Sequence, residues 1–392
     1  MNFLEVKNQI FTKRFIALFL TNISVFLIFY GLITTLPLYV TGALGRTDDD
    51  AGLLVTAFPI SAIIVRPFSA KLLDIYGKKN MLVISMILYM VCTIFYLFIE
   101  PFAILLVLRF LQGIWFSIAT TATGSLAADI IPNNRKGAGL GYFAMSANLA
   151  VVIGPFVGLF IVQSASFEVL FIALSVIGLL GCLIGLTIDT SDIARPEVRP
   201  KLSFSFNDLF ERKALPIALL ASLLALTYSS VLSFISIYAE QQGMLKVASY
   251  FYVVFAAAML IIRPFTGKIY DQKGPIYVVI PSFILFAIGL FMLAYMDSAW
   301  QFLAAAIFVG SGYGTLTTSM QSQAVQSASV TRSGYATATY FTLFDVGIAV
   351  GSYVLGLIAM SFSYQAVYVL CGVLLIVNMI LYIIFSKKPN AS

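Results

Sequence analysis

The stretch Arg66-Pro67-Phe68-Ser69-Ala70-Lys71-Leu72-Leu73-Asp74-Ile75-Tyr76-Gly77 returns as Arg263-Pro264-Phe265-Thr266-Gly267-Lys268-Ile269-Tyr270-Asp271-Gln272-Lys273-Gly274. The Arg, Pro, Phe, Lys, Asp and Gly positions are kept, and the offset is 197 residues, about half of the 392-residue chain. Other pairs stand in the same register: Gly113 with Gly310, Thr120-Thr121 with Thr317-Thr318, Arg135 with Arg332, Gly137 with Gly334, and Gly154 with Gly351. One local match could be accidental; a dozen matched positions in register imply two homologous halves.

Outward from that segment the chain is apolar on both sides. Hydrophobic residues make up 60% and charged residues 10%, with mean hydropathy +0.99. A soluble domain carries roughly a quarter charged residues. Continuous apolar runs occur at about 15–42, 51–70, 80–99, 102–128, 138–162 and 167–187, then at about 214–239, 248–267, 276–296, 299–325, 335–360 and 364–386. Each is near the ~20 residues that cross a bilayer as a helix, whereas a transmembrane β-barrel needs short alternating segments. The fold class is therefore all-α integral membrane, twelve helices in two six-helix bundles. The bundles are 1–188 and 214–392, joined by a polar connector, 189–213. The first run is too long for a signal-peptide core and is read as an uncleaved span.

Lys and Arg set the topology. Eighteen of the 23 fall on one set of loops, two (Arg46 and Lys246) on the other, and three (Arg66, Arg109 and Arg263) within spans. A Lys/Arg excess marks the cytoplasmic side, so both termini and the connector are expected there, in a multi-pass protein of the plasma membrane. The basic balance is then topology, with no nucleic-acid partner implied. The chain has no His, which excludes histidine catalysis and histidine metal ligation. Cys92, Cys182 and Cys371 lack Cys-x-x-Cys spacing, so no metal site is expected. No P-loop appears, and Gly137-x-Gly139-x-Gly141 opens a membrane helix rather than a βαβ unit. No enzyme activity and no cofactor are expected.

Ala70-Lys71-Leu72-Leu73-Asp74-Ile75-Tyr76-Gly77-Lys78-Lys79 resembles the loop signature between the second and third helices of the major facilitator superfamily, departing at Ala70 and Ile75. Arg109-x-x-Gln112-Gly113 resembles the fourth-helix arginine signature of proton-coupled members. Ala150-x-x-x-Gly154-Pro155-x-x-Gly158-Leu159 resembles the fifth-helix signature of antiporters, with Leu159 replacing a second glycine. Together they resemble the twelve-helix drug:proton antiporters. The resemblance implies a gate at the cytoplasmic helix ends, drawn from Asp74, Gly77, Lys78, Asp129 and Arg135 in the first half and Asp271, Gly274 and Arg332 in the second. Solvated or capping charge is the alternative for these residues.

Charges inside spans are costly and ordinarily face a bundle interior. Asp345 lies about eleven residues into its helix, roughly 16 Å by helical rise, and no other acidic residue is placed so deeply. Its repeat counterpart is Asn148, and that of Arg109 is Ala306, so neither charge is demanded by the repeated fold. Asp345 is read as the titrating group of a transport cycle, with a structural ion pair as the alternative. The resemblance implies a second helix beside the eleventh, which makes Arg66 a partner for Asp345 and Arg109 its rival; snorkelling is the alternative for Arg66 and Arg263. Glu240 is a further charged candidate.

Polar stripes on helices that the resemblance assigns to the cavity suggest a substrate site: Tyr30 and Thr34 on the first helix, and Gln112, Phe116 and Thr120 on the fourth. Thr227, Ser230, Phe234 and Tyr238 follow on the seventh, and Tyr313, Thr317 and Met320 on the tenth. Interhelical hydrogen bonding is the alternative for any one stripe. Gly154 and Gly158, with Pro155, and Gly347 and Gly351 have the spacing that brings helices into close contact in lipid. The expected function is secondary active, proton-coupled efflux of lipophilic or amphiphilic small molecules by a monomer in the bilayer. A dedicated exporter of one metabolite and a non-transporting receptor or scaffold remain alternatives.

Overall fold

The computed structural model describes residues 10–191 and 209–386. Most of the 189–213 connector, and the side chain of Glu240, lie outside the described residues. The described residues hold twelve long helices and no strand: α1 (Lys13–Leu38), α2 (Asp48–Tyr76), α3 (Lys78–Phe95), α4 (Phe102–Ile130), α5 (Lys136–Ser164), α6 (Phe167–Leu186), α7 (Leu215–Gln241), α8 (Leu245–Lys273), α9 (Ile276–Ala294), α10 (Ala299–Ser327), α11 (Ser333–Ser361) and α12 (Tyr364–Ser386). Eleven are long and apolar enough to cross a membrane by length and composition. The twelfth, α10, is equally long but carries the hydroxyl- and amide-rich run Thr315–Gln326.

Local chemistry sets the helix ends. The hydroxyls of Thr12, Thr47 and Ser166 accept from the third amide of α1, α2 and α6, the usual N-cap arrangement. The reversals after α2 and α8 are at Gly77 and Gly274, with φ of 89° and 94°, a conformation that favours glycine. The repeat therefore reproduces a backbone angle as well as residue identities.

Packing repeats too. In the first half α2 lies on α4, α4 on α3, and α6 on α1 and α3; in the second α8 lies on α10, α10 on α9, and α12 on α7 and α9. Outside surfaces carry exposed large apolar side chains such as Phe98, Phe156, Phe265, Tyr353 and Met360. On a soluble protein such a surface would aggregate; in a bilayer it meets acyl chains.

Two compact units emerge. The first is Met1–Pro132, Phe143–Glu211 and Ser329–Ala338; the second is Asn133–Tyr142, Arg212–Ala328 and Thr339–Ser392. Each is built mainly from one sequence half and takes in a short segment of the other: the first turns of α5 belong to the second unit, and those of α11 to the first.

Candidate functional site

Within the second unit, one face of α8 grips the first turns of α5. Arg263, Gly267 and Asp271 are spaced i, i+4, i+8 and so share that face. Asp271 accepts from the Gly137 amide at 2.9 Å and the Ala138 amide at 3.2 Å, two of the donors a helix start leaves without intrahelical partners. The carboxylate also meets the positive end of the helix dipole. Arg263 Nη1 donates to the Gly141 carbonyl at 2.8 Å. Between them, a Cβ at Gly267 would stand 2.8 Å from the Ala138 Cα, so the glycine allows the approach. Arg135, exposed at the start of this segment, lies within electrostatic reach of Asp271.

The first unit contains a related arrangement, Ala70 and Asp74 on α2 against the first turns of α11. Ala70, Tyr335 and Ala338 form a buried apolar cluster, and Tyr335 faces the Asp74 carboxylate. Where α5 has Gly137, Ala138 and Gly141, α11 has Gly334, Tyr335 and Ala338, so this contact is bulkier. It is reinforced by ions. Lys78 Nζ donates to Asp129 Oδ2 at 2.6 Å and to Ser333 Oγ at 2.9 Å, and Ser333 donates to Asp129 Oδ1 at 2.8 Å. Arg332 pairs with Glu211 and stacks 4.3 Å above the Tyr335 ring. Ser333→Ala is expected to remove two hydrogen bonds, the one from Lys78 and the one to Asp129, while leaving the Lys78–Asp129 pair. The cost should be about 1 kcal/mol, read as a fall of roughly 1–2 °C in the thermal midpoint of the detergent-solubilised protein.

Deeper in the first unit, Arg109 is fully buried. Its Nη1 donates to Gln112 Oε1 at 2.8 Å; Gln112 Nε2 donates to Thr93 at 3.0 Å, and Tyr96 donates to Gln112 Oε1 at 3.1 Å. The guanidinium lies 4.3 Å above the Phe58 ring, and its Nε and Nη2 have no hydrogen-bond acceptor among the described residues. This cation is thus held by an amide and a π face rather than by a carboxylate. Arg66 Nη1 donates to Thr120 at 3.3 Å.

An aromatic trio surrounds this point and recurs 197 residues on. Phe116 lies 5.0 Å from Phe58 and 6.1 Å from Tyr89; Tyr313 lies 6.0 Å from Phe255 and 5.9 Å from Phe286. Tyr313 also stacks on Tyr228 at 3.6 Å. Gly113 and Gly310 bring α4 and α10 against the backbone of Phe58 and Phe255.

Several residues of the expected cavity satisfy their own helices. Thr34, Thr227, Ser230 and Thr317 donate to carbonyls three or four residues back, a common use of such hydroxyls. Tyr238 donates to the Ala294 carbonyl at 3.2 Å, Phe234 lies 5.8 Å from Tyr364, Met320 is buried, and Tyr30 packs with Phe26 and Phe29. Asp345 is half-buried on α11. Its neighbour Tyr340, which donates to the Thr317 carbonyl at 2.7 Å, stands in the field of both Asp345 and Arg263. The structure thus sets Arg263, Thr317 and Asp345 near Tyr340 in one unit, with Tyr313 near Arg263, and Arg109, Gln112 and Phe116 together in the other.

The small residues pack as close contacts. In the first unit α5 meets α1, and a Cβ at Gly154 would lie 2.7 Å from that of Tyr30, and one at Gly158 3.1 Å from Thr35 Cγ2. In the second α11 meets α7 at Gly347 and Gly351. Pro155 sits inside α5. Sequence reading did not single out Gly267, Ser333, Phe58, Thr93, Tyr96 or Glu211. Only Gly267 carried a usable signal, its place midway between Arg263 and Asp271.

The family model for the Major Facilitator Superfamily matches residues 18–351 and 274–392. An uncharacterized MFS-type transporter of Methanocaldococcus jannaschii is 24% identical over 84% of this chain and 87% of its own length. The quinolone resistance protein NorA of Staphylococcus aureus is 34% identical over 149 residues, 37% of this chain and 38% of NorA. The crystal structure of the human organic anion transporter MFSD10 superposes with a TM-score of 0.81 at 14% identity, covering 94% of this chain and 98% of that one; at that identity the likeness is one of fold. The chain belongs to the Major Facilitator Superfamily, a family of membrane transporters and not of enzymes.

Proposed function

We propose that this transporter exports lipophilic or amphiphilic small molecules in exchange for protons, acting as a monomer in the plasma membrane with both termini cytoplasmic. The observation that carries the reading is Asp345, the one acidic residue set deep within a span. A carboxylate there is expensive, and a group that gains and loses a proton during a cycle gives a reason to keep it. The partial identity with proteins named for quinolone resistance supports export of drug-like molecules. The Lys/Arg distribution supports the orientation.

In this reading the grip of α8 on α5, and of α2 on α11, is the cytoplasmic gate of one transport state. Opening it exchanges one set of weak contacts for another, and a gap of a few kcal/mol is enough for a switch. Rocking of two homologous bundles about a central substrate suits halves of this kind.

The test uses everted membrane vesicles energised to an acidic interior, with proton efflux followed by a pH-sensitive dye. Addition of dissimilar lipophilic cations and neutral drugs is expected to release protons from vesicles containing the parent. Asp345→Asn is expected to abolish that release with the protein still inserted. Release by a single compound class would favour a dedicated exporter, and an undiminished response in Asp345→Asn would remove the proton role.

A further inference from the structure

Arg263 is 4% exposed, its Nε has no acceptor, and among the described residues it makes no ion pair. The charged form of a side chain so placed needs compensation. Among the described residues the Gly141 carbonyl, at 2.8 Å, is its one hydrogen-bonded acceptor. That carbonyl belongs to the very segment of α5 that Asp271 caps and Gly267 admits, so a movement that frees α5 from α8 strips Arg263 of it. Tyr313 and Tyr340 stand near the guanidinium as neutral phenols. Tyr340 spends its hydroxyl proton on the Thr317 carbonyl, and Tyr313 belongs to the stacked aromatic set of Tyr228, Phe255 and Phe286. A cation short of an acceptor, beside broad aromatic faces, matches one ligand chemistry: an apolar or aromatic body bearing an anionic group.

We propose that Arg263 binds a carboxylate on the transported molecule, and that this carboxylate replaces the Gly141 carbonyl when α5 leaves α8. The site would then take amphiphilic organic acids. Their binding would also favour opening of the gate, because the ligand and Gly141 compete for the same N–H groups. A charge-assisted pair with a guanidinium is stronger than its bond to a neutral carbonyl, which gives the exchange its direction. The proposal rests on the transport reading above, and extends it from lipophilic molecules in general to those with an acid group.

The experiment measures binding to the detergent-solubilised full chain by equilibrium dialysis, using matched pairs of aromatic acids and their primary carboxamides, 2-naphthoate with 2-naphthamide and longer homologues. The parent is expected to bind acids about tenfold more tightly than the amides, the equivalent of one charge-assisted hydrogen bond. Arg263→Gln should bring each pair to within about twofold, and Arg263→Lys should keep part of the preference because it keeps the charge. A variant that merely loosened the fold would weaken acid and amide alike, so the ratio within a pair reports the charge recognition. Equal affinity for acid and amide in the parent, an unchanged ratio in Arg263→Gln, or failure of every acid to bind would each overturn the proposal. Proton release by neutral and cationic compounds in the vesicle assay alongside any of those results would leave the exporter reading standing without Arg263.

Discussion

Asp271→Ala is expected to free the start of α5 from α8. The carboxylate accepts from two backbone amides at 2.9 and 3.2 Å, and alanine leaves both donors without that acceptor at a helix start. Hydrogen bonds to a charged group contribute about 1.5–3 kcal/mol each, and neighbouring bonds to one carboxylate do not add fully. A loss of about 2–4 kcal/mol, roughly 30- to 1,000-fold in a two-state equilibrium, follows. Asp271→Asn retains an acceptor without the charge and should fall between. Spin labels at Asn133→Cys and Gln272→Cys, both exposed positions, read the separation directly. The three native cysteines are buried and compete little for label. The parent should give one short distance, Asp271→Ala a longer and broader distribution. Superimposable distributions would show that Asp271 does not hold α5.

The second large effect belongs to Gly351→Leu. A Cβ at this position would stand 2.7 Å from the Leu226 carbonyl and 2.8 Å from its Cα, so a side chain there meets backbone that cannot rotate away. Overpacking of a rigid contact costs about 1–3 kcal/mol and sometimes more. Here α11 must move off α7, which also breaks the 3.0 Å bond between Ser233 and Ser352. A loss of about 3 kcal/mol or more is expected, seen as a large drop in folded yield by size-exclusion chromatography. Gly42→Leu serves as control, because nothing lies within 4 Å of a Cβ there. Equal yields from both variants would contradict the close-contact account.

The architecture was legible because the repeat is carried by residue identities. Arg66/Arg263, Asp74/Asp271 and Gly113/Gly310 stand at one offset, and apolar length did the rest. Asp345 stood out for a related reason: a carboxylate deep in a span is costly, whether it titrates or is held in a structural ion pair. The helix-end contacts were only half legible. Asp271 stood out as a charge at a helix end, but what it holds is a pair of backbone amides, and an amide carries no sequence signature. Asp74 meets Tyr335 instead, because the residue equivalent to Ala138 is larger in the second half. Gln112 showed the opposite difficulty. Its place on a polar stripe suggested lining, yet both ends of its amide are spent on Arg109, Tyr96 and Thr93, a triangle that no linear spacing reveals. Arg332 pairs with Glu211, from a polar segment where any of several acids was an equal candidate.

In the proposed cycle Asp345 exchanges a proton for substrate. If substrate and proton compete for the protein, substrate binding must expel the proton, and by reciprocity the proton must weaken substrate binding. The most direct measurement is proton release on adding a transported compound to the detergent-solubilised protein in weakly buffered solution with a pH indicator. The parent is expected to release about one proton per substrate bound, and Asp345→Asn none while still binding. Release of the same size from Asp345→Asn, at matched occupancy, would contradict the account.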